Sequence, residues 1–309
     1  MAVLLTACSS GPTLRDYELV TERVEIISTP FFSQDRYQCG PAALATVLVS
    51  DGVKITPAEL VSHIYIPERK GSLQVEIIAA TRRFGRIPYV LTPDLQDLLA
   101  EVADGKPVLV MQNLGISILP RWHYAVVIGY DISSDSILLR SGREELLSMK
   151  LGRFLGTWSR ARYWALRSVR PDEIPVTAKV ESWLNAASAF EELGKPELAA
   201  EAYEAAIRRW PEEPLVWAAL ASAHYMLSDL SAAENALRHS VQLQPTASSH
   251  NNLAYILHQR GCLPEALHHM DLADSMEGAD EISGILLRTR QGITKDREMS
   301  RQSTGSCQY

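Results

Sequence analysis

The sequence predicts an α+β domain followed by an all-α domain of helical hairpins, and three observations carry that expectation. In the second half, Trp183 and Trp217, Ala187 and Ala221, Ala199 and Ala233, and Pro211 and Pro245 recur at a period of 34 residues, the length of one pair of antiparallel helices. In the first half, helix-start signals precede a series of short β-branched and aromatic runs, with no internal repeat. The chain of 309 residues is 46% hydrophobic and 22% charged, which suffices for two domains that each bury a core.

The elements of the first domain follow in order. Residues 42–49 are apolar and helix-competent, directly after Cys39-Gly40-Pro41. Thr56-Pro57-Ala58-Glu59 is a capping box with proline at the first helical position, and Thr92-Pro93-Asp94 gives a start signal before residues 95–102. Residues 73–84 read as an amphipathic helix closed by Gly85. The last three of these helices, from the Thr56 capping box, residues 73–84 and residues 95–102, precede the sheet. Residues 107–111 and 124–130 are strand-length apolar runs, residues 131–136 make a polar turn, and residues 137–139 return as a partner strand. Residues 161–169 would form the last strand. The expected division is a tether over 1–23, a first domain over 24–170, a linker over 171–179, repeats over 180–277, and a capping helix with a frayed tail over 278–309. The cap is expected at residues 280–290, with fraying from Thr294.

A net charge of −7 argues against nucleic acid as a partner, because phosphate contacts need a basic face. No apolar run approaches the roughly 20 residues of a membrane-spanning helix. The four cysteines, Cys8, Cys39, Cys262 and Cys307, have neither metal-ligand spacing nor a dense disulfide pattern.

Within the repeats, the first copy carries Trp183, Ala187, Gly194, Ala199, Tyr203, Ala206 and Pro211. The second keeps Trp217, Leu220, Ala221, Ala233 and Pro245, with Ser228 at the turn. The third keeps Leu253, Ala254, Gly261, Ala266 and Ala273. Small residues let paired helices approach closely, and Pro196 and Pro264 sit in first turns where a missing amide costs nothing. This pattern resembles the tetratricopeptide repeat family, which implies a concave groove for a peptide or protein partner.

The strongest local signal is Gln34-Asp35-Arg36-Tyr37-Gln38-Cys39-Gly40-Pro41-Ala42. A thiol at a helix entry feels the positive end of the helix dipole, so a lowered pKa and a nucleophilic Cys39 are expected. The second signal is Trp122-His123-Tyr124-Ala125-Val126-Val127, a histidine opening a strand, where an imidazole can exchange a proton with the thiol. Together these segments resemble the papain-like cysteine peptidases that cut bacteriocin precursors after a double-glycine leader. The resemblance implies a papain-like fold, Cys39 as nucleophile, His123 as base and acid, and Gln34 with the Cys39 amide as oxyanion donors. It implies no cofactor or metal. No Gly-rich phosphate loop is present, so the ATPase fused to the exporter members of that family is not expected. The family places an aspartate on the strand after the histidine, whereas Ser141 occupies that position in Ile137-Leu138-Leu139-Arg140-Ser141.

Other candidates are weaker. Gln112 and Asn113 end a strand and are candidates to line the cleft. His258, His268 and His269 have no diagnostic metal spacing and read as surface histidines. At the amino terminus, Leu4-Leu5-Thr6-Ala7-Cys8 followed by Ser9 resembles the lipobox of bacterial lipoproteins, with Cys8 as the lipidated residue. Only seven residues precede Cys8, fewer than the roughly 15–30 of a signal peptide, which implies an upstream start. The resemblance implies a periplasm-facing protein held by its lipid at the outer membrane. The expected function is a thiol hydrolase of the cell envelope, a cysteine peptidase acting on a peptide or protein. The alternatives are a peptidase-like domain that binds peptide without turnover, or a repeat scaffold for an envelope complex.

Overall fold

The computed structural model describes residues 11–33, 38–69 and 71–300. The chain divides into two compact units. One runs to Arg170 and includes Pro175–Ala178; the other holds Pro171–Ile174 and the chain from Lys179.

The first unit is built on one antiparallel sheet. Its strands are β1 (Arg23–Glu25), β2 (Ile87–Val90), β3 (Val108–Asn113), β4 (Trp122–Asp131), β5 (Ser136–Ser141), β6 (Glu144–Lys150) and β7 (Ala165–Val169). Their order is β2-β7-β3-β4-β5-β6. Strand β4 is long enough to hold two partners along one side, β3 against residues 122–127 and β1 against residues 129–131. The crossing of β1 requires Gly129, since a Cβ there would lie 2.0 Å from the Val24 carbonyl oxygen. Edge strand β2 carries Pro88, opposite Ser168 of β7.

Helix α1 (Cys39–Ser50) is apolar on every side, and its residues from Gly40 to Leu48 are buried. A helix of this kind is stable only when enclosed. It lies between the sheet, where it meets β3 and β4, and helices α2 (Pro57–Ile64) and α3 (Gln74–Arg83). Leu44, Leu48, Leu60, Ile77, Tyr124, Val126, Ile128 and Leu138 form the shared core. Helix α4 (Leu95–Ala103) packs on β3 and β4, and α5 (Leu151–Ser159) packs on β3, β5 and β6. Thr56 caps α2 through the expected capping box.

Four elements were not legible in the sequence: β1, β2, β6 and α5. The last strand begins at Ala165, later than residue 161, because Arg162 and Tyr163 both have φ near 55° and close a turn after α5. A buried ion pair joins Arg167 of β7 to Glu101 of α4 at 2.5 Å. The second Glu101 oxygen accepts the Thr177 amide and hydroxyl at 2.9 and 2.7 Å. Residues 175–178, expected in the linker, are thereby tied to the first unit.

The second unit contains α6 (Val180–Glu192), α7 (Pro196–Arg209), α8 (Pro214–Met226), α9 (Leu230–Leu243), α10 (Ala247–Gln259) and α11 (Leu263–Asp274), followed by α12 (Ser283–Ser300). Helices pair as α6–α7, α8–α9 and α10–α11. Ala187, Ala199, Ala221, Ala233, Ala254 and Ala266 are all buried where the pairs meet. Gly194, Ser228 and Gly261 end the first helix of each pair with positive φ, 66°, 62° and 79°. The expected fraying from Thr294 is corrected. Helix α12 continues to Ser300, with Ile293 fully buried and Asp296 accepting a hydrogen bond from His258 at 2.8 Å.

Candidate active site

Cys39 is the first residue of α1, with Gln38 at the cap. Directly behind it, Gly40 faces Ser72: a Cβ on Gly40 would lie 2.4 Å from the Ser72 hydroxyl. Glycine after the cysteine is therefore a packing requirement, since it lets the segment before α3 close over the helix entrance. Tyr124 completes this wall by donating its hydroxyl to the Ser72 carbonyl at 3.3 Å and meeting Trp164 edge-on at 5.9 Å. The Ser72 hydroxyl itself is buried and has no hydrogen-bond partner among the described residues. Neither Ser72 nor Trp164 announces itself in the sequence, because the only signal is a glycine whose reason becomes visible in three dimensions.

The Cys39 thiol is not acidified as the helix entry alone suggests. Burial pushes it up, and the backbone amides of Tyr124, Gly40 and Cys39 itself pull it down by less. The thiol thus sits beside the peptide bond that joins His123 to Tyr124. His123 is pushed the other way, to about 4, first by burial and then by the charge of Arg121. Both effects disfavour the charged forms, so the pair rests as neutral thiol and neutral imidazole.

Strand β4 sends alternate side chains to opposite faces. Tyr124 enters the core against α1. His123 is in register with Gln112, whose amide donates to the Thr157 hydroxyl of α5 at 2.7 Å. The His123 Nε2 lies 2.8 Å from the Ser141 hydroxyl of β5. Ser141 therefore occupies the position at which it can fix the imidazole. No hydrogen bond joins the His123 ring to the Cys39 thiol. Gln112 and Asn113 do not line an open cleft; both are buried. The Asn113 side chain accepts the amides of Gly115 and Arg121, each at 2.9 Å, and so shapes the β3–β4 loop. Gln34, Cys8 and Cys307 lie outside the described residues.

In the second unit, α8, α10 and α12 line a depression of about 530 Å³ with Tyr225, Asn251, Asn252, Tyr255 and Arg288 among its walls. The two tyrosine hydroxyls are 2.9 Å apart. His250 and His269 approach at 2.8 Å through their Nδ1 atoms, while His268 meets the His269 ring edge-on. Among the described residues no cluster of three metal-ligating side chains forms.

A family model described as the Peptidase_C39 like family matches residues 26–163. The chain carries a domain of the Peptidase_C39 like family. A second model, described as tetratricopeptide repeat, matches residues 184–248, so the C39-like domain is followed by a tetratricopeptide array. The matched span of the C39-like domain runs from just after β1 to the turn after α5 and takes in Cys39, His123 and Ser141. No curated protein matches the chain. Among solved structures, a protein described as a C39-like peptidase from Bacillus anthracis is 17% identical, covers 48% of this chain and 98% of its own, and has a TM-score of 0.41. Two structures of MamA are 18% and 17% identical, cover 40% and 42% of this chain and 81% and 80% of their own, with TM-scores of 0.31 and 0.30.

Proposed function

We propose that the C39-like domain is a thiol hydrolase that cleaves a peptide or protein, with the tetratricopeptide array binding that substrate or a partner. The observation that carries the reading is the thiol at the entrance of a helix buried from Gly40 to Leu48, beside a strand whose histidine is held through Nε2. With Nε2 on Ser141, Nδ1 is the nitrogen left to receive the thiol proton. The thiolate formed then attacks the substrate carbonyl. The Cys39 amide and Gln34 donate to the oxyanion, and the imidazolium protonates the leaving amine. Water releases the acyl group from the thioester by the same proton transfers in reverse.

Two neutral partners suit this sequence, because the proton moves only when the substrate has displaced water and the developing charges meet donors. The alternative, a domain that binds peptide without turnover, is favoured by Ser141 in place of a carboxylate and by the lack of a hydrogen bond between thiol and ring. The domain is proposed to act in the bacterial envelope, facing the periplasm and held at the outer membrane through lipid on Cys8.

Peptide-library digestion by the full chain tests the reading. Cleavage that is lost in Cys39→Ala, and lowered by roughly 10²–10³ in Gln34→Ala, is the expected result. Binding of peptides with no cleavage, equal in wild type and Cys39→Ala, would establish the alternative.

A further inference from the structure

The β3–β4 loop, residues 114–121, presents an apolar tip to solvent immediately before His123. Ile118 is 90% exposed, Leu119 74% and Ile116 60%, and Trp122 at the base is half exposed. This tip is rigidly made. The Leu119 amide donates to the Ile116 carbonyl at 3.1 Å, and that of Leu114 donates to the Arg121 carbonyl at 2.9 Å. Asn113 ties both ends of the loop, as described above. A Cβ on Gly115 would lie 2.3 Å from the Leu119 carbonyl oxygen, so only glycine lets the turn fold this tightly. An exposed apolar cluster on a built turn is a contact surface waiting for an apolar medium.

Beside the tip, Leu114, Arg121, Arg153, Thr157 and Arg160 line a depression of about 530 Å³, with no acidic side chain among the described residues that line it. The three arginines are exposed. Arg160 is fixed by donating through Nε and Nη2 to the Asn113 carbonyl at 3.2 and 3.0 Å. Positive charge collected here stands out in a chain of net charge −7.

We infer that this loop docks the first unit on an anionic lipid bilayer. Ile116, Ile118 and Leu119 enter the boundary between headgroups and acyl chains, Trp122 lies at the interface, and Arg121, Arg153 and Arg160 meet lipid phosphates. The Ile118 and Leu119 side chains stand largely free of the protein surface, whereas groove-type peptide recognition needs apolar walls around the peptide's anchors. A bilayer accepts a projecting apolar point and offers anionic headgroups around it, which matches both halves of the patch. The inference does not depend on turnover by Cys39, nor on lipidation of Cys8.

The test uses the full chain carrying Cys8→Ser, so that no acyl chain contributes. Co-sedimentation is measured with vesicles of phosphatidylcholine alone and of equal parts phosphatidylcholine and phosphatidylglycerol. Binding is expected with phosphatidylglycerol only, weakening as salt is raised. Ile118→Asp with Leu119→Asp is expected to lower the bound fraction at least about tenfold, with circular dichroism and Tm unchanged because the turn is exposed. Arg121→Glu with Arg153→Glu is expected to weaken binding at low salt. A blue shift of tryptophan emission on vesicle binding should be reduced in Trp122→Phe. Absence of sedimentation with phosphatidylglycerol vesicles overturns the inference, as does sedimentation indifferent to the Ile118 and Leu119 changes. If those changes leave vesicle binding intact and instead raise KM for a peptide substrate, the tip is a peptide contact and the inference is likewise overturned.

Discussion

At the scale of single residues, the site is governed by burial rather than by the helix dipole. Burial holds His123 near 4 and the Cys39 thiol above its ordinary value, so the form able to transfer a proton is the neutral pair. Under the proposed mechanism, turnover should be lost as pH falls through about 4, where His123 gains its proton, and should hold steady through neutrality. Alkylation of Cys39 should stay slow at neutral pH and accelerate only above about 8.5, the value of an ordinary thiol. Ser141→Asp should place a carboxylate against Nε2 and raise the imidazole pKa, moving the acid limb upward. NMR titration of the ring reads that shift directly, and an unchanged ring pKa would remove Ser141 as its partner. The positions of Cys39, His123 and Ser141 were legible as motif and order. Their protonation was not, because it depends on how much water the walls from Ser72 and Tyr124 exclude, and Ser72 is distant in sequence from both Cys39 and His123.

At the scale of elements, the 34-residue spacing disclosed the helical hairpins almost to the residue, since repeating small side chains must coincide with helix contacts. The turns were equally legible. Ser228 stands in the left-handed conformation that Gly194 and Gly261 adopt in the neighbouring hairpins. A side chain there costs roughly 1–2 kcal/mol relative to glycine. Ser228→Gly should accordingly stabilise the array by about 1 kcal/mol in denaturant unfolding, and a loss of stability would show that the serine makes a compensating contact. Strands β1 and β6 were hidden for a different reason. The first spans only Arg23–Glu25, and the second exposes most of its side chains, so neither carries the apolar run by which buried strands are recognised.

At the scale of the whole chain, the boundary between units is set by a carboxylate. Glu101 is fully buried and spends one oxygen on Arg167 and the other on Thr177. A fragment ending at Arg170 loses both Thr177 donors, whereas one ending at Ala178 keeps them. The shorter fragment should be less stable by about 1–3 kcal/mol, the cost of an unmade hydrogen bond to a buried charged group. Thermal unfolding of the two fragments measures the difference, and equal stability would show that Glu101 finds other donors. The linker looked unstructured in the sequence because a threonine amide meeting a distant glutamate leaves no periodic trace.

Pro88 in β2 has a consequence for what the protein does when crowded among copies of itself. Sheets grow by adding strands at a border, and a border strand without one of its amides is a poor template. On the opposite border, β6 carries Glu144, Glu145 and Lys150 toward solvent on either side of the exposed Leu146, so an incoming strand meets charge at both ends of that border. Both borders of the sheet are thus blunted against adding further strands. At high concentration such borders guard a chain against sheet-to-sheet aggregation.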